Sequence, residues 1–188
     1  MRKMLRALPA LLVALLAFAP GLRAQDTPEQ VVQQYFDTFV RGDYAANVAL
    51  MHPDALTDLQ EMMSGMVALV GTEGDDGQLR EMFGVQSMEE FNRLTPAQLF
   101  ERLLRWQLDK PEMREVLSGA QTTVLGHVME GDSLAHVVYR MRMEVGAMSV
   151  DQVQVAPVKQ SNGQWRVLLT GTFAGMMNAV PRAGASPE

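Results

Sequence analysis

An α+β fold, N-terminal helices followed by a four-stranded antiparallel sheet, is predicted by a single change of rhythm along the chain. Up to about residue 119 the apolar residues recur three and four apart, in runs opened by capping residues. After Gly119 they recur at every second residue, and three turn signals divide that stretch into four strands. Helices first and strands afterwards is the α+β layout.

The elements follow in order. Residues 1–24 read as a secretory signal peptide: Arg2, Lys3 and Arg6, an apolar run over 8–19, a Pro20-Gly21 break, and small Ala24 before Gln25. The apolar run is shorter than the roughly 20 residues that span a bilayer. The first mature helix opens with Thr27 as cap, Pro28 in the first turn and Gln30 completing a capping box. It carries Val31, Val32, Tyr35, Phe36, Phe39 and Val40 on one side, and Gly42 ends it. Asp43 caps a second helix through Tyr44, Val48 and Met51, closed by His52-Pro53.

A third helix starts at Pro53, with Leu56, Leu59, Met63, Met66, Val67 and Val70 in one stripe. Residues 71–77 are an acidic, turn-rich loop. Ser87 and Glu90 form a capping box for a short helix. Thr95-Pro96-Ala97-Gln98 then opens a helix to about Asp109, bearing Leu99, Phe100, Leu103, Leu104 and Trp106, with Pro111 as its closing residue. The strands are Gln121–Glu130, Leu134–Val145, 148–159 and 164–173, and their turns are Gly131-Asp132, Gly146-Ala147 and the strong hairpin pair Asn162-Gly163. In the second strand Ala135, Val137, Tyr139, Met141, Met143 and Val145 share a buried face, while His136, Arg140 and Arg142 share the wet one. Residues 181–188 read as a disordered tail.

Composition narrows the function. Cleavage after residue 24 leaves 164 residues, enough for one domain with its own core. It removes four of the 16 basic residues and none of the 22 acidic ones, so the formal charge moves from −6 to −10. Such a surface repels phosphate backbones and anionic headgroups, so neither nucleic acid nor, after cleavage, a membrane is an expected partner. With no cysteine, the chain has no disulfides and no site for a lipoprotein's lipid. The expected location is periplasmic or extracellular.

Two segments resemble a known superfamily. TPEQVVQQYFDTFVRGDYAANVALMHPDAL, residues 27–56, resembles the first two helices of nuclear transport factor 2-like (cystatin-like) proteins, with their Gly-Asp-aromatic step and Pro-Asp loop. VKQSNGQWRVLLTGTF resembles their last hairpin, with its Gly-x-Trp step. The resemblance covers residues 27–56 and about 120–173, within a single domain over 25–180 that carries a helical insert at about 57–115. It implies a curved antiparallel sheet wrapped around the first helix, leaving a cone with an apolar pocket. Members include ketosteroid isomerases, polyketide cyclases, dehydratases and non-catalytic binding domains, so kinship of fold names no function.

Isomerase-type members need a carboxylate base and an oxyanion donor. Tyr35 and Tyr139 supply hydroxyls, but no Asp or Glu falls on an inward strand face. Asp43 and Asp54 both read as helix caps. His127, placed on one face with Thr123, Leu125 and Met129, is the remaining acid/base candidate. The three histidines fit no zinc signature, and no cofactor motif is present, so neither metal nor cofactor is expected. Met62, Met63 and Met66 suggest soft-metal ligation, but Met63 and Met66 share a stripe with Leu56 and Leu59 and no His or Cys accompanies them, so core filler or an adaptable apolar surface is expected. Glu73, Asp75 and Asp76 lack the calcium-loop pattern.

The sequence therefore predicts an exported, non-catalytic domain that binds a small apolar ligand in the cone or a partner protein. Tyr35, Phe39, Trp106, His127, Tyr139 and Met141 are the expected lining. The alternative is an isomerase- or cyclase-like enzyme with His127 as base and Tyr35 or Tyr139 as oxyanion donor. A homodimer through the outer sheet face, burying Val138, Arg140 and Arg142, is a third expectation.

Overall fold

The structure, a computed structural model, describes residues 26–71, 76–145 and 148–169. The predicted signal peptide, most of the 71–77 loop, the Gly146-Ala147 turn, residues 170–173 and the tail lie outside the described residues. Seven helices precede the sheet among the described residues: α1 Pro28–Arg41, α2 Tyr44–Ala49, α3 Pro53–Gly71, α4 Gly77–Phe83, α5 Met88–Asn92, α6 Pro96–Leu108 and α7 Pro111–Gly119. None of them is long and apolar enough to cross a membrane. Four strands follow: β1 Gln121–Glu130, β2 Leu134–Val145, β3 Met148–Ser161 and β4 Gln164–Val167, an antiparallel meander in the order β1-β2-β3-β4.

The predicted helix starts rest on observed caps. Thr27 Oγ1 accepts from the Gln30 amide while Gln30 Oε1 accepts from the Thr27 amide, and Thr95 and Gln98 repeat the exchange on α6. Each cap stabilises its helix by about 1 kcal/mol. Gly42 ends α1 at φ 71°, a left-handed conformation that glycine adopts without a Cβ clash. Asp43 caps α2 through the Ala46 amide.

Four readings need correction. Ser87 caps α5, but Glu90 takes the Gln86 amide rather than that of Ser87, so the box is not reciprocal. Asp54 does not cap α3: His52 Nδ1 accepts the Asp54 amide at 3.1 Å, and the Asp54 carboxylate instead holds Lys159 at 2.8 Å. Pro111 does not merely close α6, which stops at Leu108; it opens α7, because a first-turn proline lacks only an amide that has no helical partner. The fourth strand stops at Val167 instead of running on through Leu168 and Leu169, since the ladder meets Pro157, which has no amide to return to Leu168; the rest of the expected 164–173 strand lies outside the described residues.

At the Asn162-Gly163 turn both residues have positive φ, 52° and 75°, as a two-residue hairpin requires. β4 is flanked on its other side by the α2–α3 connection: Val167 donates to Leu50 and accepts from His52. The core fills the space between the sheet's inner face, with Ala135, Val137, Ala156 and Val158, and the helices. Those contribute Val31 and Val32 from α1, Leu59 and Met63 from α3, Phe83 from α4, and Leu99 and Leu104 from α6.

Candidate functional site

The structure distributes the six predicted lining residues over three places. Four gather where α1 crosses β2. The Tyr35 ring stands edge-on to Phe39 at 4.8 Å and to Phe36 at 5.5 Å, and Phe36 in turn lies 4.6 Å from Tyr139. Met141, two residues beyond Tyr139 and on the same strand face, is partly buried and packs against the core. The Tyr139 hydroxyl donates to Gln154 Oε1 at 2.8 Å, its cross-strand partner on β3, and Gln154 Nε2 donates to Gln152.

The half-buried Tyr35 differs from Tyr139. Its hydroxyl makes no hydrogen bond to any described residue. Burial, and secondarily the neighbouring Tyr139, pushes the Tyr35 phenol well above the usual range. Burial alone raises the Tyr139 phenol. Both groups therefore stay neutral hydrogen-bond donors at physiological pH.

His127 stands apart from that cluster. The β1 register slips between Val124 and Gly126, which leaves Leu125 as an extra, exposed residue. Gly126 makes the bulge possible at φ 146°. The slip reverses the facing of everything after it. His127 pairs with Val137 and points to the helix side, sharing that side with Thr122 and Val124 rather than with Thr123 and Leu125. There Nδ1 lies 2.5 Å from Glu29 Oε1. Desolvation works to raise the Glu29 carboxyl, but hydrogen bonds from His127, its own amide and Thr27 outweigh it and hold the group below the usual carboxylate range.

From helical periodicity alone, Glu29 falls only on the polar side of α1. A carboxylate that orients an imidazole is a familiar general-base arrangement. Here, however, Glu29 precedes Tyr35 by six residues, roughly 9 Å of helix rise. The imidazole and the Tyr35 hydroxyl are thus set at different heights along α1.

Trp106 lies in a third place. It lines an open cleft of about 680 Å³ between α4 and the α6–α7 junction, together with Met82, Phe83, Arg102, Arg105, Asp109 and Lys110. Next to the cleft, the buried Tyr44 donates to Asp109 Oδ1 at 2.7 Å. Sequence reasoning missed this wall because α4 has no side-chain cap to announce it. Among the described residues no group of three or more His, Asp or Glu side chains is placed to hold a metal ion.

Comparison with known proteins finds no matching family model and no matching curated protein.

Proposed function

We propose that this chain is an exported, non-catalytic binding domain of the nuclear transport factor 2-like type, which takes a small apolar ligand between α1 and the inner face of β2 and β3. One observation carries the reading: the Tyr35 hydroxyl has no hydrogen-bond partner among the described residues, while its ring stands edge-on to Phe36 and Phe39. A held apolar wall with one uncommitted donor is what a ligand with a single carbonyl or hydroxyl requires. The separate placement of His127 favours binding over isomerase chemistry, since a base must reach the proton it removes.

The test is native mass spectrometry of the mature protein purified from its own compartment. A retained small molecule that is lost in Tyr35→Phe supports the proposal. Bare protein, or retention unaffected by the substitution, rejects it.

A specific observation also favours self-association. Val128, Val153 and Val155 are 64%, 54% and 46% exposed and lie on the outer sheet face beside Val138, Arg140 and Arg142. An apolar strip rimmed by charge is the usual anatomy of an interface. Light scattering distinguishes the outcomes: a dimeric mass that Arg140→Glu halves supports a homodimer, and a monomeric wild type rejects it.

A further inference from the structure

The α4–α6–α7 cleft has the size of a small-molecule site. Its volume of about 680 Å³ lies within the range of roughly 300–1,000 Å³ such sites occupy. Its apolar lining is Met82, Phe83, Trp106 and Pro111, with Phe83 only 1% exposed. Its rim carries Arg102, Arg105 and Lys110 against two acids, Glu81 and Asp109. In a chain of formal charge −6 this is a local inversion of sign.

The commitments of these charges differ. Asp109 is already bound by the Tyr44 hydroxyl. Arg102 is pinned at the end of α4, where Nη1 donates to the Phe83 and Gly84 carbonyls. Arg105 reaches Glu101 at 2.7 Å, with its guanidinium also 5.9 Å above the Tyr44 ring. Lys110 has no carboxylate partner among the described residues; its ammonium rests 4.3 Å from the centre of the Trp106 ring. An ammonium parked on an indole face beside an apolar lining is a cation available to a ligand.

We infer that this cleft is a second binding site, distinct from the α1–β2 cluster, for a small amphipathic monocarboxylate. The alkyl or aryl body lies on Met82, Trp106 and Pro111. The carboxylate is taken by Lys110, aided by the remaining N–H groups of Arg105. Glu81, on the α4 wall, repels an anion and so directs the charged end toward the α6–α7 junction.

Sodium octanoate, with 1-octanol as its neutral match, tests this by nitrogen–proton NMR of the labelled mature protein. The chain has two tryptophans, Trp106 in the cleft and Trp165 in the core, so two indole N–H signals report occupancy, assigned with Trp106→Phe. The expected result is a saturable shift of the Trp106 signal by octanoate, with octanol at least roughly tenfold weaker, a difference of about 1.4 kcal/mol. Lys110→Met, at an exposed position, is expected to abolish that preference while the spectrum stays folded. No shift with octanoate, equal binding of octanol, an unchanged preference in Lys110→Met, or a response at Trp165 alone overturns the inference. None of these readouts depends on Tyr35, so the cleft and the α1–β2 cluster stand or fall separately.

Discussion

His127 Nδ1 and Glu29 Oε1 meet at 2.5 Å across 98 residues of sequence, clipping the first turn of α1 to β1 one residue past the bulge. With Glu29 ionised, Nδ1–H is the donor. Both side chains are about one-third exposed, so the pair is worth no more than about 1 kcal/mol. Because the folded-state carboxyl is held low, its contribution is complete above the ordinary carboxylate value and disappears as pH falls through the lowered one. Glu29→Gln is therefore expected to lose up to about 1 kcal/mol at neutral pH. Urea denaturation of both proteins should show that gap closing toward roughly pH 3, where carboxylates protonate. A gap of the same size in acid contradicts the assignment.

The three tyrosines, Tyr35, Tyr44 and Tyr139, all have raised phenols, chiefly through burial, with Asp109 adding to the effect at Tyr44. A raised folded value stabilises the fold below the unfolded phenol value of about 10 and loses that stabilisation as pH climbs beyond it. In an alkaline titration the tyrosinate absorbance should stay flat through the normal phenol range. It should then rise in one cooperative step with loss of circular dichroism. A gradual, reversible rise near pH 10 from one tyrosine in folded protein would show that its ring is wetter than described.

Gly126 sets which side of the sheet His127 faces. Its φ of 146° lies where only glycine is comfortable, although a Cβ there would meet nothing within 4 Å. The cost of Gly126→Ala is thus backbone strain, about 1–3 kcal/mol. The expected variant is folded but less stable, and its His127 proton resonances no longer respond to Glu29→Gln. If Gly126→Ala matches wild type in denaturation, the bulge is not what directs the imidazole.

Much of the fold was legible because its signals are local. Thr27, Thr95 and Asp43 announce their helices through backbone amides three residues away, and Asn162-Gly163 specifies its turn from two φ angles. The bounds of β1 and β2 follow from alternation and adjoining turns. What was not legible depends on partners far away in sequence or on a slip within an element. Counting by twos placed His127 with Thr123 and Leu125, and a single unpaired residue, Leu125, reverses that count. Trp106 was assigned to the cone from its place on the apolar side of α6, yet only the docking of α4 and Lys110 decides what its ring meets. The Pro111 helix was missed because proline ends one helix and begins another with equal ease.

Gly42 ties that helical region back to α1. A Cβ at this position would lie 2.7 Å from Arg114 Nη1, on the helix α7, and Nη1 is buried without a hydrogen-bond partner among the described residues. The guanidinium thus occupies the space that the missing side chain leaves. Two penalties are combined in Gly42→Ala: the left-handed φ of 71°, worth roughly 1–2 kcal/mol, and displacement of Arg114. A double-mutant cycle separates them. In an Arg114→Ala background the steric part vanishes and only the backbone part remains, so Gly42→Ala should cost measurably less there than in wild type. Equal costs in the two backgrounds would mean that the arginine yields freely and that α7 is not positioned by this contact.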